Sequence, residues 1–476
     1  MLRANESVLT ARQRRAFRSP LGDDDSNVNG LSSLRETFAG EIVLPADPGY
    51  DRARAVWNKM FDRRPAVVVR PAGVDDVVTA LRFAREQELV VAVRCGGHSI
   101  PGLSTCDDGI VIDLSAMRGA QVDPEARTAH VNGGALLAEL DEAAQAHGLV
   151  CPVGVVSHTG VAGLTLGGGM GRLQRKFGLT IDNLASAELV TADGRLVRAS
   201  EDEQTDLFWG LRGAGPNFGI VTSFEFRLRP LDNAITFGRV THPLERAREL
   251  AALYRELAES GPDELFLSFG AASDRSGEDD FAFLTVMHCG SPDQAERDLA
   301  ALRAFGPPLT DSIQAMPHLA AQHLNDETQD WGHRFYMKSA FLPSFPDEAV
   351  DLCVEHATRA PEGADCEFSV WAWGRAIADV PEEATAFTGR QAAVWLAAEA
   401  LWDDRALDEQ CRSWGRDALA DLAPFASGGR YVNDVAEVGA DVARTVYGDA
   451  KYERLVTLKR EWDPDNVFRL NQNIRP

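Results

Sequence analysis

The stretch Arg94-Cys95-Gly96-Gly97-His98-Ser99-Ile100-Pro101-Gly102-Leu103-Ser104 follows directly on the apolar run Val90 to Val93. The run reads as a buried strand. The paired glycines after it let the backbone turn sharply, so its N–H groups can approach a diphosphate without Cβ obstruction. A histidine set immediately behind those glycines is placed to be linked to the ligand they hold. Taken alone, Gly-Gly-His-Ser also reads as a surface turn, and the surrounding chain decides between the two.

Upstream, a strand at Ala66 to Arg70, a Pro-Ala-Gly turn and a helix through Val77, Leu81 and Ala84 make a βαβ-like opening with the Val90 strand. Downstream come a strand from Ile110 to Leu114 and a helix from Ala135 to His147, stopped by Gly148. Glycine and small residues then dominate from Gly154 to Gly219, broken by the apolar run Ala187 to Val190. The segment Pro152 to Leu173 alone holds seven glycines, more than packing requires. Its Gly-x-x-Gly spacings mimic a dinucleotide fingerprint. However, they lack the short strand-turn-helix unit with an acidic residue about 20 positions on, which disfavours a nicotinamide site.

Past Pro230 the pattern alternates, as in Leu265 to Phe269 and Phe281 to Val286, with charged helical stretches such as Leu244 to Glu259 between. This predicts an antiparallel sheet backed by helices. At Tyr431 the character changes again, toward a helix from Tyr452 to Trp462. The expected fold is α+β. A disordered tail over residues 1–34 precedes an N-terminal unit (35–230), a second unit (231–429) and a C-terminal segment (430–476).

A chain of 476 residues supports more than one core. With 72 Asp+Glu against 48 Lys+Arg, its net charge of −24 disfavours nucleic acid and anionic membrane as partners. Seven scattered cysteines with no Cys-x-x-Cys pair argue against a disulfide scaffold or structural zinc, and the histidines show no ligand spacing, so no metal is expected. No apolar run approaches the ~18 residues of a membrane span, and the polar stretch Ser19 to Ser33 is no signal-peptide core, so a cytoplasmic protein is expected.

Six motifs then occur in one order: Gly96-Gly97-His98-Ser99; Ser157-His158-Thr159-Gly160 through Gly171; Leu179-Thr180-Ile181-Asp182-Asn183-Leu184; Asp206-Leu207-Phe208-Trp209 with Gly215 to Thr222; Tyr431-Val432-Asn433; and Arg469 to Ile474. In this the chain resembles the berberine-bridge-enzyme-like FAD-linked oxidases, of the vanillyl-alcohol-oxidase and para-cresol-methylhydroxylase (PCMH) superfamily, from about residue 38 to its end. The resemblance implies a two-part PCMH-type FAD-binding domain and a covalent bond from His98 to the C8 methyl of the flavin. It also implies that Arg94, Gly96, Gly97, Ser99, Gly102 and Leu103 wrap the diphosphate. Further flavin contacts are implied at Gly154, Val155, His158, Thr159, Gly160, Gly163, Gly168, Gly171, Asn183, Gly219, Val221, Tyr431, Asn433 and Asn471. Many relatives carry a second link from a cysteine, but Val156 stands at that position, and Leu164 replaces a histidine common in doubly linked members. A single link of the bacterial type is expected.

Such an oxidase needs a group to accept a proton while hydride leaves a carbon bearing OH or NH. The residue after the Tyr-x-Asn motif, often Tyr or Phe in relatives, is Asp434, which reads as a base if shielded and as a solvated charge if not. Tyr336, Glu367 and Glu399 are further candidates, and Thr159 matches the small residue that gates O2 in relatives. The expected function is FAD-dependent oxidation of an alcohol, sugar, phenolic or secondary metabolite by O2, giving H2O2. The alternatives are a dehydrogenase with another acceptor and a flavin-binding protein without catalysis. Substrate and oligomeric state are open.

Overall fold

Val67, Val68 and Val69, and likewise Ile110, Val111 and Ile112, are wholly buried, as strands covered on both faces require. They belong to a four-stranded sheet in the computed structural model, which describes residues 28–232, 234–273 and 280–476. Ile110–Asp113 enters between Val67–Arg70 and Val91–Arg94, parallel to both, and Glu41–Val43 closes an edge antiparallel. Helix Val74–Glu86 connects the first two parallel strands and lays Val77, Leu81 and Ala84, one helical face, onto the layer. The predicted βαβ opening is thus present. Its second strand, Val91–Arg94, ends where the Gly96-Gly97-His98 loop begins.

Helix Val28–Thr37 packs Leu34 into the same layer. Residues 28–34, expected in a disordered tail, are therefore structured, because Leu34 supplies an apolar contact that their polar composition conceals. Residues 1–27 lie outside the described residues.

A second, five-stranded antiparallel sheet runs Ala120–Asp123, Thr128–Asn132, Ile220–Arg227, Leu184–Val190, Leu196–Ser200. Helices Leu137–Gln145 and Thr205–Ala214 share its core, as does the last helix, Ala440–Trp462, through Val446, Leu455 and Leu458. That helix starts earlier than the expected Tyr452 and breaks at Gly448, where φ is +71°.

The third sheet has eight strands, with the path Thr310–Asp311, Ala234–Pro243, Asp280–His288, Leu265–Ser273, Ala364–Ala372, Val394–Trp402, Arg334–Leu342; Gln314–Pro317 also pairs with Ala234–Pro243. All of its pairings are antiparallel. Alternation sorts its two faces. Leu265, Leu267, Phe269, Phe368, Val370, Leu396 and Ala398 meet helices Ala247–Ser260, Asp347–Ala357 and Asp408–Leu422 in one core. Phe266, Ser268, Glu367, Ser369, Trp395 and Glu399 face the other way, into a cavity shared with the glycine-rich segments. The α+β architecture with a helix-backed antiparallel sheet agrees with the sequence reading.

Candidate active site

The cavity measures about 1060 Å³, at the upper end of small-molecule sites. One wall is built by close backbone approach. A Cβ on Gly96 would lie 2.3 Å from the Gly160 nitrogen, so the two glycine-bearing loops can meet only without side chains. Gly97 has φ +75°, which turns the chain so that His98 follows on the cavity wall.

The His98 ring stacks on the Trp57 indole, with centroids 4.9 Å apart and planes at 19°. Its Nε2 lies 2.7 Å from Nδ1 of His158. Burial, with His158 beside it, pushes the His98 pKa down to about 3 and keeps the imidazole neutral. His158 stands behind His98, off the cavity wall, with its own Nε2 buried and unpartnered.

Of the other residues marked in the sequence, Gly96, Gly97, Ser99, Leu103, Gly154, Val155, Thr159, Gly160, Gly163, Gly219, Val221, Tyr431, Asn433 and Asn471 line the cavity. Arg94, Gly102, His158, Gly168, Gly171 and Asn183 do not, and each has a structural task instead. Arg94 is pinned by Asp113 Oδ2 at 2.6 Å and by the carbonyls of Ala53 and Ala55. Gly102 packs on Phe61, and Gly168 on Phe387. A Cβ on Gly171 would lie 1.7 Å from the Val153 carbonyl, so two chain segments cross there. The Asn183 amide donates to the carbonyls of Phe177 and Leu179, and its oxygen accepts from Arg229. A motif reports that a residue type is required; it does not report whether ligand or backbone requires it.

The C-terminal motifs close the wall. The Tyr431 hydroxyl accepts from Gly169 N at 3.2 Å and from Asn433 Nδ2 at 3.0 Å, and Asn433 also donates to the Leu164 carbonyl. Asn471 donates to the carbonyls of Pro216 and Phe468, leaving its buried Oδ1 without a partner. The Ser104 hydroxyl on the same cavity is likewise buried and unpartnered. A Cβ on Gly163 would meet nothing within 4 Å. Unspent polar atoms and side-chain-free backbone around one large cavity fit a bound dinucleotide such as FAD.

The opposite wall carries the titratable groups. Asp434, 7% exposed, accepts from Trp395 Nε1 at 2.9 Å and from Ser339, and burial raises its pKa to about 7. Glu399 is raised to about 8 by burial and by the charges of Glu367 and Asp434. Glu367 sits directly across from Glu399 in the strand register and accepts from Ser369 Oγ at 2.8 Å and Arg239 Nη1 at 3.2 Å. Tyr336 is not brought to this site. Its neighbours Phe335 and Met337 line the cavity, so strand alternation turns Tyr336 toward the helices, where its hydroxyl donates to Glu437 at 3.0 Å.

Sequence reasoning passed over Trp57, Ser104, Arg172 and Arg239, all on the cavity wall. Arg172 was within reach, since it closes the glycine-rich run. So was Ser104, which ends the Gly-Gly-His stretch, whereas Trp57 and Arg239 become visible only when distant elements meet.

A family model described as "FAD binding domain" matches residues 65–200, and one described as "Berberine and berberine like" matches residues 430–475. The chain is 32% identical to the (R)-6-hydroxynicotine oxidase of Paenarthrobacter nicotinovorans over 92% of this chain and 97% of that protein. It is 30% identical to an FAD-linked oxidoreductase of Aspergillus terreus, over 92% and 94% respectively. The crystal structure of 6-hydroxy-D-nicotine oxidase from Arthrobacter nicotinovorans superposes with a TM-score of 0.86 at 30% identity, covering 92% of this chain and 98% of that one. The fold is shared with berberine bridge enzyme from Eschscholzia californica, at TM-score 0.83 and 23% identity, over 94% of this chain and 99% of that one. Carrying an FAD-binding domain, a berberine-like C-terminal segment and this identity over nearly its whole length, the chain belongs to the berberine-bridge-enzyme-like family of FAD-linked oxidoreductases.

Proposed function

We propose that this enzyme is an oxidase that takes hydride from a carbon bearing OH or NH on a small molecule, be it an alcohol, sugar, phenolic or secondary metabolite, and passes the electrons to O2, giving H2O2. Residues 35–230 with 430–476 would hold FAD, and residues 231–429 would cover the substrate. The observation that carries this reading is that His98, Thr159, Asp434 and Glu399 line a single cavity.

His98 is the attachment point, bonded to the flavin C8 methyl. Its neutral ring, held between Trp57 and His158, keeps a nitrogen lone pair available. No thioether forms. Val156 has no sulfur, and the Cys95 thiol, also on the cavity wall, is bonded to the Ala135 carbonyl with its pKa pushed up to about 11 by burial. When bound, the flavin supplies the hydride acceptor and the path to O2.

Asp434 accepts the substrate proton. A carboxylate poised near 7 is part-ionised at neutral pH, where a general base is most effective. Glu399, raised to about 8 by burial and by the charges of Glu367 and Asp434, holds its proton at neutral pH and leaves the base role to Asp434. Thr159, small and on the wall, leaves room for O2. All seven cysteines are unpaired, which fits a reducing compartment, and we place the protein in the cytoplasm.

The test is made on the purified protein. Acid precipitation should leave the pellet yellow, with a His98 peptide carrying the flavin mass and no second cross-linked peptide; flavin released entirely to the supernatant removes the covalent claim. An anaerobic screen of alcohols, sugars, phenolics and amines should bleach the flavin, and O2 should restore it. Bleaching without recovery in O2 means a dehydrogenase. No bleaching by any compound means a binding protein.

A further inference from the structure

Arg172 is a cavity residue that the oxidase reading leaves without a task. It directly follows Gly171, is 6% exposed, and reaches across to the large sheet, where its guanidinium carbon stands 4.7 Å from the centre of the Phe237 ring. Its hydrogen bonds to protein come from one nitrogen. Nη1 donates to the Ala321 carbonyl at 3.2 Å and to the Gln322 side-chain oxygen at 3.5 Å. Among the described residues no carboxylate lies within ion-pair distance of it. Asp141 is connected only through the Gln322 amide, which donates to Asp141 Oδ2 at 3.1 Å and to the Gly154 carbonyl at 3.0 Å.

Other deeply buried arginines show what is missing. Arg94 is paired with Asp113 at 2.6 Å and Arg390 with Asp182 at 2.7 Å. Arg175 also lacks an ion pair, but it does not reach the cavity wall. A guanidinium withdrawn from water and left without a counter-ion is unfavourable unless an anion arrives. Here one can arrive, because Arg172 faces the cavity.

The surroundings narrow the anion's kind. Phe237, Phe266 and Trp371 line the same cavity, with the last two rings edge to face at 5.0 Å, so an aromatic body fits beside the charge. Arg239, two residues beyond Phe237 on the same strand face, adds positive charge already shared with Glu367 at 3.2 Å. In the sheet order the Phe237 strand stands four places from the strand carrying Glu399. An anion on Arg172 therefore belongs to the substrate's remote end, away from the carbon being oxidised.

We propose that Arg172 is the counter-ion for a carboxylate on the substrate, and that the enzyme takes an aromatic alcohol or amine bearing that carboxylate at the end remote from the reacting carbon. This rests on the oxidase reading for which end reacts. The planar guanidinium offers two parallel N–H donors to a carboxylate, a geometry that a neutral amide does not match.

The experiment titrates the holoenzyme, FAD in place, with phenylacetate, uncharged phenylacetamide and cationic phenethylamine, following the flavin difference spectrum and the heat of binding. Phenylacetate should bind about 10- to 100-fold more tightly than phenylacetamide, the range for a hydrogen bond to a charged group. Phenethylamine should bind more weakly still. Arg172→Gln should erase the preference, and Arg172→Lys should keep part of it, with thermal melts confirming that each variant is folded. Equal affinities in the wild-type protein overturn the proposal without any variant being needed, and this is also the outcome if a flavin phosphate already occupies the guanidinium. A preference that survives Arg172→Gln overturns it too. Failure of the oxidase reading looks different: in the anaerobic screen no flavin is bleached, or none recovers in O2, while the anion preference stays measurable by heat.

Discussion

Along the glycine wall, Gly96 and Gly160 meet backbone to backbone and Gly163 leaves open space. Along the sheet wall, every second residue projects a side chain, as in Glu367, Ser369 and Trp371 on one strand and Trp395 and Glu399 on its neighbour. The first wall is shaped by omitting side chains where two glycine-bearing loops, far apart in the chain, meet. The second is shaped by adding them at every other position along paired strands. That contrast suits the proposed division of the cavity, with the cofactor on one side and the substrate on the other.

The contrast breaks hardest at His98, a reactive side chain on the glycine wall. His98→Ala should abolish acid-stable flavin altogether, while the glycine loops still bind FAD that washes out on denaturation, at a lower redox potential. Mass spectrometry of the denatured protein reads the loss, and a surviving covalent adduct would move the attachment point elsewhere.

Asp434→Asn, on the sheet wall, should slow flavin reduction by substrate roughly 10²-fold, the usual scale for a lost general base, and leave the visible spectrum unchanged. In the wild-type protein the reduction rate should rise with pH through about 7, as Asp434 ionises. The linked effect on stability has the opposite sign. The folded carboxyl holds its proton up to about 7, above the ordinary aspartate value, so stability falls as pH rises between those values, and Asp434→Asn should flatten that fall. Stopped-flow reduction and melting curves across pH 4 to 8 test both. Normal reduction in the variant would return the proton to Glu399 or Glu367.

Thr159→Leu should separate the walls kinetically. Reoxidation by O2 should slow several-fold or more while reduction by substrate changes little, because the added bulk lies on the side proposed for the flavin. Equal slowing of both half-reactions would mean a general distortion.

The smallest effect is expected at Tyr336, which lies on a cavity strand but faces away. Tyr336→Phe should leave reduction unchanged and cost about 1 kcal/mol of stability, one hydrogen bond, since Glu437 keeps its ion pair with Lys338 at 2.8 Å. A large loss of rate would mean that the strand's two faces are not functionally separate.

The local chemistry was legible in the chain itself. Two apolar runs fully buried in a parallel layer, a Gly-Gly-His turn after the third strand and an alternating pattern past Pro230 each depend on a few consecutive residues, and the structure keeps them. What the chain did not reveal was facing. Tyr336, Glu367 and Glu399 read alike as polar residues on strands, and only the register of the assembled sheet sends Tyr336 to the helices and the two glutamates to the cavity. Arg94 and Asn183 carry the family pattern yet serve the backbone around them. Arg172 reads as one more charge until the fold buries it beside Phe237 with no counter-ion among the described residues. Turn geometry is set by short-range sterics, which the order of residues determines by itself. Burial, charge pairing and the pKa values of Asp434 and Glu399 come from groups far apart in the chain, and only the tertiary structure brings them within reach of one another.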